Sequence, residues 1–192
     1  MTSEGRAGRP SKKAKQARAA KPPEPLTRLK VEQLALSYVN RFDCTATKLT
    51  RHLTARVRKL GGHEQASTWI AELVGRYLGS GVLDDARFAK NLASQLSARG
   101  KSSRAIAQKL SLRGVPSDVA GELMALRKHD EPDAELAAAR AYVRKRRLGP
   151  HRSPEKRAES RQKDLASLAR QGFSFEVAKK ALGSSVGGDD EF

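Results

Sequence analysis

Residues 83–115 read LDDARFAKNLASQLSARGKSSRAIAQKLSLRGV, and this stretch decides the fold. Its first half places Phe88, Leu92 and Leu96 four residues apart, and that spacing puts apolar side chains on one face of an α-helix. Gly100 follows and predicts the end of this helix, because glycine is the usual residue at a left-handed C-terminal position. The first half therefore predicts one amphipathic helix.

The second half of the stretch predicts two further helices. Ser102 and Ser103 can cap a helix that carries Ile106 and Leu110 and ends at Gly114. Pro116 then suits the start of a third helix, where a missing amide hydrogen costs no hydrogen bond. The stretch thus predicts a unit of three helices, without the alternating pattern that would indicate a strand.

The same three-helix pattern occurs before and after this stretch. We predict an all-α fold of nine helices in three tandem three-helix repeats, covering residues 27–82, 83–129 and 130–183. A unit of about 50 residues buries little apolar surface on its own. Neighbouring repeats are therefore expected to share core side chains in an elongated, curved array.

The flanking helices are outlined by similar signals. Leu49, Leu53 and Val57 recur at four-residue spacing in the second helix of the first repeat. Ser153, followed by Pro154, predicts the N-cap of the middle helix in the third repeat, and Ser174 can cap the last helix. The apolar residues assigned to the first helix are Leu29, Leu34, Leu36, Tyr38 and Val39.

The clearest internal echo lies after the middle helix of the second and third repeats. Leu110 and Leu168 each stand four residues before a glycine, Gly114 or Gly172, and an apolar residue follows that glycine. We expect the leucine to pack inward and the glycine to end the helix in a left-handed conformation. In the first repeat the run Leu60-Gly61-Gly62 matches more loosely, because no apolar residue follows the glycines directly.

The 192-residue chain has a formal net charge of +17, from 38 Lys and Arg against 21 Asp and Glu. Such a field attracts nucleic acid, acidic protein surfaces or anionic lipid. Residues 1–26 are basic, contain almost no large apolar side chain and are predicted to form a disordered arm. That arm either makes salt-sensitive contacts with nucleic acid or only improves solubility. Residues 184–192 are predicted to form a flexible C-terminal tail.

Several features predict a cytoplasmic protein. Cys44 is the only cysteine, so no disulfide can form within the chain and a reducing compartment is expected. No apolar run approaches the roughly 18–20 residues that a membrane helix needs. The basic N-terminal segment also lacks the apolar region of a secretory signal.

No residue pattern predicts catalysis. Cys44, His52 and His63 match no zinc-binding spacing and are expected to be packed or exposed side chains. Asp84 and Asp85 could be paired carboxylates, but a helix N-cap and a favourable first-turn charge explain them better. Because no catalytic set or phosphate-binding glycine loop stands out, we expect a protein that is not an enzyme and needs no metal or cofactor.

Several motifs resemble the RecX family of regulatory proteins. The run Leu83–Ala89, which reads Leu-Asp-Asp-Ala-Arg-Phe-Ala, is the most specific of them. The Arg-Gly-Val junction at 113–115 and the closing run Arg-Gln-Gly-Phe-Ser-Phe-Glu-Val at 170–177 are similar to family signatures too. The resemblance covers residues 30–183, and it departs from the family at Val82, where an aromatic residue is frequent.

The resemblance implies a fold of three tandem three-helix repeats and a partner, the RecA nucleoprotein filament. It implies binding along the helical groove of that filament and damping of RecA ATP hydrolysis, strand exchange and coprotease activity, as a regulator of recombination and DNA repair. We expect a monomer. The alternative is a direct DNA-binding protein that places a helix in the major groove, although such a protein has no need of the motif at 83–89. Weak non-specific DNA binding fits both.

Two groups of basic residues are candidates for contact with the filament or its DNA. The first group lies around the middle repeat and comprises Arg99, Lys101, Arg104, Lys109 and Arg113. The second group ends a helix and comprises Arg144, Lys145, Arg146 and Arg147. The helix dipole favours cations there, but four in a row exceed what it needs. We hypothesise that both groups line one concave surface, whereas Arg87 either pairs with an acidic neighbour or faces the partner.

Overall fold

A computed structural model of the protein describes residues 26–183, which contain nine α-helices, one short 3-10 turn and no strand. The predicted arm and tail lie outside these residues, except that Leu26 is described and is buried. The helices are α1 (Arg28–Val39), α2 (Ala46–Lys59), α3 (Ala66–Gly79), α4 (Asp85–Ala98), α5 (Ser103–Leu112), α6 (Ser117–Asp130), α7 (Ala134–Arg146), α8 (Pro154–Arg170) and α9 (Phe175–Leu182). The predicted all-α class is confirmed, and in the described part of the chain no helix is both long and apolar enough to span a membrane.

The caps predicted from the sequence are mostly confirmed. The side chains of Asp84, Ser102 and Ser174 each accept a hydrogen bond from the backbone amide three residues further on. Such a bond satisfies one of the amides that a helix start leaves without a partner. Ser153 is the N-cap residue of α8 and Pro154 begins the helix, as predicted, but the Ser153 hydroxyl makes no capping hydrogen bond.

Buried apolar side chains form three separate clusters, one in each group of three helices. Fully buried leucines anchor them, namely Leu53 in α2, Leu110 in α5 and Leu168 in α8. This arrangement confirms the predicted fold of three tandem three-helix repeats, here called repeats 1, 2 and 3. The residue boundaries of the repeats stay a prediction.

Only some of the apolar residues assigned to α1 lie on its inward face, and those that pack against the core of repeat 1 are Leu34, Tyr38 and Val39. Leu29 and Leu36 are exposed, whereas Val31 and Ala35 are completely buried in the core of repeat 1. The prediction followed the largest apolar residues. A small side chain such as that of Ala35 suits a position where neighbouring helices approach closely, because a larger one would have to displace close-packed neighbours.

Repeats 1 and 2 are joined by two hydrogen bonds at the start of α2. The Thr45 hydroxyl accepts a bond from the Lys48 amide (3.2 Å) and donates one to the carbonyl oxygen of Arg113 (2.9 Å), at the end of α5. The carboxylate of Asp85, the first residue of α4, accepts a bond from the amide of Ala46 (2.9 Å). The buried Asp85 was predicted to act only as a first-turn charge on its own helix, but it also caps the neighbouring repeat.

Repeats 2 and 3 are joined in the same way at the start of α5. The Ser102 hydroxyl donates to the carbonyl oxygen of Gln171 (2.6 Å), and Glu135 in α7 accepts from the amide and the hydroxyl of Ser103. Gly172 has a left-handed backbone (φ 88°), as predicted, and a Cβ there would lie 2.7 Å from the Ser102 Oγ. The joint therefore leaves no room for a side chain at this glycine.

These two joints place the middle helices α2, α5 and α8 end to end. The C-terminal end of α8 meets the start of α5, and the C-terminal end of α5 meets the start of α2. This order is favourable because carbonyl ends carry partial negative charge and amide starts carry partial positive charge. The expected sharing of core side chains is limited to Leu83, which was assigned to the second repeat and is buried in the cluster of repeat 1. The described apolar clusters are otherwise separate, and hydrogen bonds and close backbone contacts join the repeats.

Candidate anion-binding surface

Two of the middle helices, α2 and α5, carry only basic charged residues. α2 has no acidic residue, and its basic residues are Lys48, Arg51, Arg56, Arg58 and Lys59. α5 carries Arg104 and Lys109, again without an acidic residue. All seven side chains are exposed. Helices with this bias produce a positive electrostatic potential around them.

The largest group of basic residues lines a cleft of about 410 Å³ between the end of α7 and α8, here called the repeat-3 cleft. Its basic residues are Lys145, Arg146, Arg147, Arg152, Lys163 and Arg170. Arg147 has a left-handed backbone (φ 52°) and is the only non-glycine residue with a positive φ between residues 26 and 183. Such a conformation costs about 1–3 kcal/mol and often marks a functional position.

A buried ion pair supports this cleft. The side chain of Asp164 is 2% exposed and accepts two hydrogen bonds from Arg152, at 3.0 and 2.7 Å, and one from the Gly149 amide at 2.9 Å. Burial opposes ionisation of Asp164, but the bonds from Arg152 and Gly149 outweigh it and hold the pKa of the carboxyl below its ordinary value. Arg152 is thus neutralised, and the other basic residues of the cleft set its charge.

Replacing Asp164 by Asn is expected to lower the free energy of unfolding by about 3 kcal/mol at pH 7, because it leaves the Arg152 guanidinium without its anion. The pKa of Asp164 is lower in the folded state, so the carboxylate stabilises the fold above the unfolded pKa of about 4. That stabilisation is lost as the pH falls through the folded pKa. Urea titrations at pH 7 and pH 3 should therefore show a difference between wild type and variant that shrinks in acid.

The matched control is Asp130→Asn, because Asp130 pairs with His129 on the surface, where its side chain is 64% exposed. A pair of this kind contributes about 0–1 kcal/mol. An equal loss of stability in both variants would show that the Asp164 pair has no special role.

A second cleft, of about 310 Å³, lies between α5 and α8, where repeats 2 and 3 meet. Arg104 and Gln108 of α5 line it together with Arg170 of α8. Arg170 also lines the repeat-3 cleft, so the two clefts are adjacent. The structure therefore brings Arg104, from the first predicted basic group, next to a surface that holds three residues of the second.

Two other residues of the first group lie elsewhere. At about 100° per residue, Lys109 points about 140° away from Arg104 around α5. Arg113 lines a third cleft, at the joint between repeats 1 and 2, beside Lys48 and Leu112. The hypothesis of one surface for both groups is therefore supported by adjacency only for Arg104.

The remaining predicted residues lie near helix ends. Lys101 donates to the side-chain oxygen of Gln171 (3.1 Å) and so contributes to the joint between repeats 2 and 3. Arg99 is the C-cap of α4, and Arg144 is exposed in the last turn of α7. Arg87 is exposed in the first turn of α4 and makes no ion pair in the described part of the chain, so its side chain is available to a partner.

Cys44 is buried, and His52 and His63 each stack on an aromatic ring. Burial is the main cause that raises the pKa of the Cys44 thiol, to about 11, so the thiol is protonated at neutral pH. His52 stacks on Tyr38, with ring centres 4.0 Å apart. His63 stacks on Trp69 at 4.5 Å. Among residues 26–183 no cluster of His, Cys, Asp and Glu side chains could hold a metal ion.

Comparison with known proteins identifies the family. The chain is 40% identical over 184 residues to the regulatory protein RecX of Myxococcus xanthus, and the match covers 93% of this chain and 96% of that protein. The chain belongs to the RecX family. The regulatory protein RecX of Agrobacterium fabrum is 36% identical over 104 residues, which are 54% of this chain and 53% of that one.

Two further findings agree with the RecX assignment. The family model described as "RecX, second three-helix domain" matches residues 84–124, which cover α4, α5 and most of α6. The crystal structure of RecX from Lactobacillus salivarius shares the fold, with a TM-score of 0.62 at 19% identity over 81% of this chain and 94% of that chain. A RecX regulatory role follows for this chain from its relatives.

Sequence reasoning missed two basic residues of the surface of this RecX chain, Lys163 and Arg170. Both are exposed on α8. Arg170 stands in the quoted family motif, directly before Gln171 and Gly172, yet that position alone gave no indication that it faces two clefts. The repeat pattern could have indicated this position. Residues next to Gly172 lie beside the start of α5, the middle helix of the preceding repeat.

Proposed function

We propose that this chain binds the RecA nucleoprotein filament and inhibits RecA ATP hydrolysis, strand exchange and coprotease activity. It thereby regulates recombination and DNA repair, as a cytoplasmic monomer without a cofactor. Membership of the RecX family supports a regulatory role. The residues proposed to meet the filament or its DNA are Arg87, Arg99, Lys101, Arg104, Lys109, Arg113, Arg144, Lys145, Arg146 and Arg147, to which we add Lys163 and Arg170.

The observation that carries the proposal is the end-to-end row of middle helices with exposed basic side chains. A rise of about 1.5 Å per residue gives the helical residues of this row a combined length of about 60 Å. A long surface of this kind suits an extended, repeating anionic partner better than a small ligand. The two adjacent clefts that share Arg170 extend it across the joint between repeats 2 and 3.

Inhibition follows from linkage. RecA protomers move relative to one another as the filament hydrolyses ATP. A ligand that contacts two neighbouring protomers at once binds best to one of their arrangements and shifts the population toward it. The tandem repeats supply such a ligand, because each repeat has its own apolar core and is hydrogen-bonded to its neighbour at a defined joint.

The test is the single-stranded-DNA-dependent ATPase of RecA, titrated with the full chain and with a version that lacks residues 1–26, at moderate salt. We expect half-maximal inhibition well below the RecA concentration with both proteins, because the described repeats carry the surface. A complete lack of inhibition by the full chain would contradict the proposal.

Direct DNA binding is the second candidate function, and the purely basic α2 is the observation that favours it. Binding that depends on phosphate neutralisation weakens steeply with salt. If inhibition required an excess of protein and disappeared in parallel with DNA affinity as salt rises, coating of DNA would explain the effect without a filament contact.

A further inference from the structure

The last residues of the sequence are acidic, in contrast to the rest of the chain. Residues 184–192 read SSVGGDDEF and contain Asp189, Asp190 and Glu191 but no basic residue. Three consecutive acidic side chains are unusual in a chain of net charge +17. A segment of this composition is attracted to the basic surfaces described above.

The described part of the chain ends beside the repeat-3 cleft. A Cβ placed on Gly149 would lie 2.7 Å from Leu182 Cδ2 and 3.4 Å from the Leu182 carbonyl oxygen, so the end of α9 is packed against Gly149. Gly149 immediately follows Arg147 and Leu148, which line the cleft. The guanidinium of Arg161 also donates to the carbonyl oxygen of Gly183 (3.3 Å).

We propose that the acidic segment Asp189–Glu191 docks on the repeat-3 cleft of its own chain. Five residues lie between Gly183 and Asp189, and an extended chain covers about 20 Å over the six steps from one to the other. That reach is sufficient because the segment starts next to residues that line the cleft. The acidic side chains then neutralise Lys145, Arg146 and Lys163 until a stronger polyanion displaces them.

The energetics fit a regulatory contact and not a permanent one. Exposed ion pairs are individually weak and are screened by salt. The short connection raises the local concentration of the segment to the millimolar range, which keeps a weak contact partly occupied. The segment therefore selects among partners, because a polyanion must compete with it for the cleft.

The docked state can be detected by zero-length carbodiimide coupling at low salt, followed by peptide mass spectrometry. We expect the peptide with Asp189, Asp190 and Glu191 to be linked to Lys145 or Lys163. Mixing unlabelled and ¹⁵N-labelled protein separates links within one chain from links between copies. The proposal is overturned if links are absent, form only between copies, or are equally frequent at Lys90 and Lys128, the lysines of α4 and α6 that line none of the described clefts.

A second measurement is the affinity for a fluorescent single-stranded oligothymidylate. The triple variant D189N/D190N/E191Q should bind about threefold more tightly at 50 mM salt, since a competing segment occupied about two thirds of the time masks the site by that factor. The control is D118N/E122Q/D130N, which removes the same charge from exposed positions on α6. If both variants gained the same affinity for the oligonucleotide, the change in net charge alone would explain the effect and the proposal would be contradicted.

Neutralising the cleft completes the test. In a K145Q/K163Q background the tail substitutions should no longer change the oligonucleotide affinity, because the docking surface is gone. If the tail substitutions still raised the oligonucleotide affinity threefold in that background, the acidic segment would not act through this cleft, and the proposal would be overturned. The inference goes beyond RecA inhibition, and both measurements use the isolated chain, so failure of one proposal can be told apart from failure of the other.

Discussion

Replacing Gly100 by Ala should lower the free energy of unfolding by about 4 kcal/mol, the largest stability effect that we expect from one methyl group. Gly100 has a positive φ of 75°, and a Cβ there would lie 2.7 Å from the Tyr142 amide nitrogen and 3.0 Å from the Tyr142 Cα. The obstacle is backbone and cannot rotate away. The start of repeat 3 would have to move, and urea unfolding followed by circular dichroism would measure the cost.

Gly81→Ala is the matched control. Gly81 has nearly the same backbone conformation (φ 72°), but nothing lies within 4 Å of the position that its Cβ would take. The free energy of unfolding of this variant should fall by only about 1–2 kcal/mol, which is the cost of a left-handed conformation for alanine. Amide exchange of Tyr142 should also accelerate in the Gly100 variant alone. Equal losses in both variants would mean that α4 and α7 can move apart at no cost, contrary to the close approach described here.

The second large effect concerns function. Lys163→Glu combined with Arg170→Glu should raise the concentration of protein that half-inhibits the RecA ATPase about 100-fold, or close to 3 kcal/mol. Arg170 lines both clefts at repeats 2 and 3, and Lys163 lines the repeat-3 cleft. Reversal therefore replaces attraction by repulsion at the centre of the proposed surface.

The same change in net charge at Lys90 and Lys128 provides the control. Both are exposed, on α4 and α6, and line none of the described clefts. The K90E/K128E variant should inhibit within about threefold of the wild type, since neither lysine lines the proposed surface and solvent-exposed charges are screened by salt. If the two double variants lost inhibition to the same extent, net charge and not this surface would determine binding.

The repeat architecture could be predicted from the sequence because it depends on local signals. Apolar residues at four-residue spacing mark the helices, and Asp84, Ser102 and Ser174 mark three starts through caps that act within four residues. Gly172 marks an end through its left-handed backbone. Signals of this kind need no knowledge of the rest of the chain.

The joints could not be predicted, because each of them unites residues far apart in sequence. Asp85 lies 39 residues from Ala46, and Ser102 lies 69 residues from Gln171. A favourable charge in the first turn of its own helix already explains Asp85, so the sequence does not indicate that its carboxylate also binds the Ala46 amide. The joint can be identified only from the three-dimensional arrangement of adjacent repeats.

The positive charge of the candidate surface could be predicted from the sequence, but which basic residues lie together on it could not. Basic runs such as 144–147 indicate attraction to polyanions. Their grouping depends on the turn after α7, where the left-handed Arg147 and the buried pair of Arg152 and Asp164 bring α8 alongside. Lys163 therefore joins the cleft through tertiary structure, and no sequence spacing connects it to residues 145–147.

The two joints also determine how the molecule responds to a mechanical load. Within each repeat a packed leucine core resists deformation, whereas across each joint the described contacts are a few hydrogen bonds and a glycine pressed against its neighbour. Tension along the row of middle helices would therefore strain the two joints first and leave the three cores intact. In mechanical terms the chain is three stiff links with two compliant couplings, both at known residues.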